Sequence, residues 1–313
     1  MGEANRHRTG WILLLAGGLL LSAFIPMRIT NNAALWIALS NASHFPLFLL
    51  IGILVFLGLA RFGMRPFGRY VSTLLICLVT AVAIELLQPL LLRTASWTDL
   101  INGTLGLVSA ILGIFVWRRF GMPTRLLHLA LSLAVFAVLL RPAWIEWRSI
   151  DWRTRNFPLL ANFEDPDERR LWHAQGDVRF APTTIDFSGD WASSGDAALV
   201  VRGGGGRWVG VRYHAGDIDW SGFQVLAWEM HNPGEPFKLT VRIDDARSND
   251  SRNRFRRNFS IETGRNEIRI PIGEIRSGPK DRSLEMSTIR RLILHLGKDS
   301  SPRVFYLDSV RLE

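Results

Sequence analysis

The chain has 313 residues, length for about two domains, and it is 48% hydrophobic with a net charge of +9. That charge is uneven: through Arg141 there are 11 arginines, no lysine and 3 acids (+8), and the remainder has 26 basic against 25 acidic residues (+1). A nucleic-acid partner calls for a basic soluble domain and is not expected here, while the single Cys77 excludes an intramolecular disulfide and a Cys-based zinc site.

Five apolar segments read as helices of a transmembrane bundle: Trp11 to Ile25, His44 to Ala60, Tyr70 to Leu92, Leu100 to Trp117 and Thr124 to Leu140. A crossing takes about 20 residues, so the first and last are short. The first also fits a signal peptide, with Arg6, His7 and Arg8 before an apolar core, although no clean small-residue cleavage site follows it. Arginines alternate between dense and sparse connections: Arg6 and Arg8, then Arg28, then Arg61, Arg65 and Arg69, then Arg93, then Arg118, Arg119 and Arg125. Dense loops face the cytoplasm, which predicts a cytoplasmic N-terminus and a C-terminal domain outside. Losing one short span would reverse the second half of that prediction.

A polar set is stranded in the apolar sequence. Glu85 and Gln88 share a face near the end of the third segment, and Arg93 follows it. Asp99 opens the fourth, with Asn102, Gly103 and Gly106 on one face, and His44 opens the second. A carboxylate at such depth costs about 2.5 to 3.5 kcal/mol, so it asks for a reason. One reason is a functional site built from His44, Glu85, Gln88, Arg93, Asp99 and Asn102. The other is packing, for which Gly106/Ala110 and Ser109/Gly113 have the spacing of close helix contacts.

The run Glu85-x-x-Gln88, Arg93, Ser96, Asp99-x-x-Asn102-x-x-x-Gly106, with His44-Phe45 ahead of it, resembles the VanZ-like family of small bacterial membrane proteins over about the first 120 residues. The resemblance implies a multi-helix integral protein of the bacterial envelope and supplies no molecular activity. The chain departs from it just before His44, where Asn41-Ala42-Ser43 stands in place of an Asp-Lys pair.

Residues 142–159, with Trp144, Trp147 and Trp152, read as an interfacial linker carrying an aromatic belt. Residues 160–313 read as an all-β sandwich or jelly roll. Its strands are predicted at Val178 to Phe180, Ala198 to Arg202, Trp208 to His214, Phe223 to His231, Lys238 to Asp244, Phe255 to Thr263, Glu267 to Ile272, Ile289 to Leu296 and Arg303 to Leu312. The glycine loop 203–206 lacks the Lys-Ser/Thr of a phosphate loop.

Asn162-Phe163-Glu164, Asp219-Trp220-Ser221-Gly222-Phe223 and Phe305-Tyr306-Leu307-Asp308-Ser309-Val310 are similar to segments of carbohydrate-binding modules of the galactose-binding jelly-roll type. That resemblance implies a structural calcium shared by Glu164 and Asp308, and oxygen-only ligation suits calcium. Two solvated carboxylates are the alternative.

Trp191, Trp208, Tyr213 and Trp228 are candidates for stacking on sugars or for the core. On the predicted strand of residues 238–244, Leu239, Val241 and Ile243 alternate with Thr240, Arg242 and Asp244. Arg256, Asn258, Arg291 and His295 fall on the polar parity of their own strands. If these share a face, it suits a polyol or an acidic glycan, with a plain solvated face as the alternative.

The preferred functional reading is a multi-pass protein of the bacterial cytoplasmic membrane without classical catalytic apparatus, whose external sandwich engages cell-wall or exopolysaccharide glycans. Trp228, Arg242, Asp244, Arg256, Asn258 and His295 are the expected ligand contacts. One alternative is an intramembrane enzyme or transporter acting on a lipid-linked glycan through Glu85, Arg93 and Asp99. A membrane-anchored protein-binding adaptor is the other.

Overall fold

The computed structural model describes residues 33–87, 96–176, 183–203, 208–297 and 303–313. The first predicted span, Gln88, Arg93 and the strand Val178 to Phe180 lie outside the described residues. The chain divides into two compact units, Met1–Glu146 and Trp147–Glu313.

The first unit is helical. It contains α1 (Ala33–Arg61), α2 (Pro66–Leu87), α3 (Trp97–Arg119) and most of α4 (Met122–Asn156). Among the described residues these four helices are long and apolar enough to cross a membrane. Leu75, Val79, Leu86, Leu112, Leu131 and Val138 point outward, as residues facing lipid would. Ile51, Cys77 and Leu107 pack inside, one from each of the first three helices. The contact between α1 and α3 is close because small residues line it. A Cβ on Gly106 would run into the Phe45 carbonyl oxygen, and one on Gly103 would sit 2.9 Å from the Phe48 ring. Ser109 and Gly113 face α4 instead: Ser109 Oγ lies 2.7 Å from Ser132 Oγ, and Gly113 sits under His128.

Two expectations change here. His44 does not open a helix but lies inside α1, which begins at Ala33. In the polar run before it the side chains are satisfied within the helix: Ser43 Oγ donates back to the Ser40 carbonyl at 2.7 Å and His44 Nδ1 does the same at 2.9 Å. The presumed linker also continues as helix to Asn156. Trp152, expected in an interfacial belt, packs into the core of the second unit, whereas Trp144 and Trp147 are exposed.

The second unit is an antiparallel β-sandwich. One sheet runs β3 (Thr184–Ser188), β4 (Ala198–Gly203), β11 (Arg303–Leu312), β6 (Val225–Asn232), β9 (Gly264–Pro271), with β1 (Leu159–Ala161) also paired to β11. The other runs β2 (Trp172–Gln175), β5 (Gly210–Ile218), β10 (Ile289–Leu296), β7 (Phe237–Asp245), β8 (Phe255–Ile261). Two short helices, α5 (Pro166–Arg169) and α6 (Ile272–Ser277), complete the unit. Alternation builds the core: Leu226, Trp228, Met230, Phe305 and Leu307 from one sheet meet Val211, Tyr213, Leu239, Val241, Leu292 and Leu294 from the other.

Candidate functional site

With Leu239, Val241 and Ile243 in the core, Thr240, Arg242 and Asp244 project from the opposite face of β7. Register then decides their company. Arg242 pairs with Arg256 on β8 and with Ile293 on β10. Thr240 pairs with Asn258 and His295, and Asp244 with Arg291. On β5, His214 is opposite Arg291 and Arg212 opposite Ile293, while His173 on β2 is opposite Arg212. Arg242, Asp244, Arg256, Asn258, Arg291 and His295 therefore share the outer face of the five-stranded sheet. The sequence reading missed Arg212, His173 and His214, although Gly210, Arg212 and His214 alternate with buried Val211, Tyr213 and Ala215.

Charge on this face is unbalanced. The paired strands bring Arg212, Arg242, Arg256 and Arg291 together with one acid, Asp244. Arg242 reaches it through Nε at 2.8 Å and a terminal nitrogen at 2.6 Å, and Arg291 Nε lies 3.3 Å away. Among the described residues Arg212 Nε is buried without a hydrogen-bond partner. Burial, and then the charge of Arg291, push the Arg212 guanidinium below its usual range. The histidines add no cation at neutral pH. Burial, with Arg212, His173 and Arg291 nearby, takes His214 down to about 4; burial and Arg212 lower His173. His295 is lowered chiefly by burial, against a hydrogen bond to the Leu296 carbonyl.

One aromatic ring edges the face. Trp208 is 44% exposed; it stands edge-on to His295 at 5.0 Å, and the Arg256 guanidinium lies 5.3 Å from its ring centre. Gly210 allows β5 to come this close to β10, because a Cβ there would strike the Leu294 carbonyl. Trp228, expected among the ligand contacts, is fully buried in the core and cannot stack on a ligand, and Tyr213 is buried likewise. Trp191 stacks on His231 at 5.4 Å.

Glu164 and Asp308 both hold the loop between β3 and β4. Glu164 Oε1 accepts from the backbone N–H groups of Asp196 at 2.8 Å and Ala197 at 2.9 Å. Asp308 Oδ2 accepts from Ser193 N and Ser193 Oγ, both at 2.8 Å, and from Ser194 N at 3.1 Å, while Oδ1 accepts from Ser309 N at 2.6 Å. Asp308 Oδ2 and Glu164 Oε1 thereby serve as loop anchors, and a shared calcium would have to draw on the remaining oxygens, Asp308 Oδ1 and Glu164 Oε2.

In the helical unit, the described members of the polar set come together. His44 Nδ1 lies 3.7 Å from Asp99 Oδ1. Asn102 donates to the Asn41 carbonyl at 2.8 Å, and Glu85 Oε2 accepts from Ser96 N at 2.8 Å. Asn41, absent from the sequence-based set, joins them. With its amide nitrogen turned toward the acceptors it faces, it donates to Asp99 Oδ1 at 2.8 Å and to the Ile37 carbonyl at 3.0 Å.

No protein-family model matches the chain, and no curated protein does. Solved structures do resemble its C-terminal part. A family 11 carbohydrate-binding module from Clostridium thermocellum, in complex with a beta-1,3-1,4-mixed-linked tetrasaccharide, is 15% identical with a TM-score of 0.39, over 49% of this chain and 93% of that one. A xylan-binding domain from Paenibacillus barcinonensis is 17% identical with a TM-score of 0.33, over 45% and 85%. A family 30 carbohydrate-binding module of a Clostridium thermocellum cellulosomal cellulase is 13% identical with a TM-score of 0.34, over 46% and 91%.

Proposed function

We propose that this chain is a membrane-anchored glycan-recognition protein of the bacterial envelope, and that the outer face of its five-stranded sheet binds an acidic glycan. The observation that carries this reading is the excess of arginine: Arg212, Arg242, Arg256 and Arg291 face one acid, Asp244, which already bonds Arg242. A carboxylate or sulfate on a sugar would meet the guanidinium ends of these arginines in the planar, forked geometry that guanidinium favours. Trp208 supplies an apolar edge for a sugar ring. Asn258, exposed and held by the Thr240 hydroxyl at 2.8 Å, supplies an amide for sugar hydroxyls.

Anchoring is supported by the four long apolar helices. An external position for the sandwich is supported by the alternation of arginines along the chain, and the envelope setting by the VanZ-like spacing of the first part. Full-length protein in detergent, passed over immobilised polyuronate and over a neutral β-glucan, tests the ligand. Retention on the polyuronate is expected, and equal retention on both would contradict an acidic ligand.

A further inference from the structure

His44, Glu85 and Asp99 stand on three different helices, yet each offers one ligand atom such that the three atoms lie within 4.8 Å of one another. The ring of His44 has a defined orientation: Nδ1 faces the Ser40 carbonyl at 2.9 Å. A carbonyl only accepts, so Nδ1 carries the proton and Nε2 presents its lone pair. That Nε2 is buried without a hydrogen-bond partner among the described residues, in a residue only 5% exposed. An orphaned polar atom in a buried site normally marks a missing partner.

We propose that His44, Glu85 and Asp99 form a binding site for a divalent transition-metal ion of the zinc or manganese type. One imidazole with two carboxylates is a nitrogen-and-oxygen donor set that such ions accept. Three protein ligands also leave a coordination position open, as in reactive rather than structural zinc sites.

The surroundings are those of metal ligands. The Nδ1 bond to a backbone carbonyl fixes the tautomer that ligation through Nε2 requires. Asn41 holds Asp99 at 2.8 Å, and Ser96 N holds Glu85 at 2.8 Å. Ligand atoms around a tetrahedral ion with bonds of 2.0 to 2.1 Å stand about 3.3 Å apart. Binding must therefore draw the three together, and Asp99 Oδ1, which lies 3.7 Å from Nδ1, must turn toward Nε2.

Zinc is the probe. Full-length protein, stripped with chelator in detergent and then reloaded, is measured by elemental analysis and calorimetry in a His173→Ala/His214→Ala background, because those two rings lie 5.3 Å apart on the sandwich and can bind zinc themselves. One zinc per chain is expected, with a cobalt-substituted form showing tetrahedral visible absorption. Glu85→Gln and Asp99→Asn, which keep shape, should each weaken binding at least tenfold, and Asn41→Ala should weaken it less. The proposal is overturned if the parent background takes up no stoichiometric zinc, or if the Glu85→Gln/Asp99→Asn double variant retains it.

Discussion

Arg242 reaches Asp244 with two hydrogen bonds of 2.8 and 2.6 Å along one strand, and Asp244 is fully buried beneath it. A buried carboxylate held this way has little left for a second cation, and Arg291 reaches it only at 3.3 Å. Arg212 is left with a buried nitrogen unpaired among the described residues, and Arg256 rests on the Trp208 ring. The face is thus held together by one acid and left short of anion.

Glu168 gives the second unit a pH dependence. It is buried at the third position of α5, where it accepts from Asn162 N at 3.1 Å and Asp165 N at 3.2 Å. Burial still outweighs those bonds and raises its carboxyl from an ordinary 4.5 to about 7. Between these values the folded state holds more protons than the unfolded one, so stability present below pH 4.5 is lost as pH rises to about 7, on the order of 3 kcal/mol. Glu168→Gln keeps an acceptor for the helix cap and removes the titration. Its amide nitrogen must face one of the two backbone N–H groups that Glu168 accepts, so the variant starts with a handicap, and its urea midpoint should rise relative to wild type from pH 5 to pH 8 as wild type loses stability.

Gly106 is a close approach of α3 to α1. Gly106→Ala puts a methyl group into the Phe45 carbonyl, so monodisperse protein in detergent should be largely lost. Glu85→Gln, which changes charge and not bulk, should leave yield and elution unchanged. Size-exclusion chromatography of both variants checks the contrast.

Asp308 anchors its loop through four donors, so Asp308→Ala leaves Ser193, Ser194 and Ser309 with unanswered groups. Burial raises the Asp308 carboxyl above its ordinary range against those same bonds. A loss on the order of 2 kcal/mol follows from orphaning these part-buried donors. A calcium shared by Glu164 and Asp308 would raise the wild-type melting temperature, with chelator lowering it, and no change in either would leave the pair as loop anchors alone; calorimetry with and without each reads both effects.

Much of the arginine-rich sheet face was legible in the sequence, because β7 alternates strictly and fixes which side Thr240, Arg242 and Asp244 occupy. Arg212 was not picked out, since its neighbours depend on the pairing of β5 with β10, which alternation within one strand does not reveal. Trp228 shows the converse: an aromatic residue on a strand reads equally as core or platform until its sheet is known. Three short strands escaped notice. β1 has only Leu159–Ala161 and β2 has one buried apolar residue, Trp172. β3 does alternate through Ile185 and Phe187, but over only five residues. In the helical unit the site residues stood out by polarity, whereas Asn41 reads as an ordinary polar residue until α3 places Asp99 beside it.

Recognition of acid groups on a glycan by the arginine face is tested by charge alone. Calorimetric titration of full-length protein in detergent, at fixed salt, with a polyuronate and with the same polymer after chemical reduction of its carboxyls, compares ligands that differ in charge and share a backbone. Wild type should bind the acidic form at least tenfold more tightly than the reduced form, and Arg212→Ala should erase most of that difference while leaving the melting temperature within a few degrees. Binding that is equal for the two polymers, or a preference that survives in the Arg212→Ala/Arg256→Ala variant, would contradict the account.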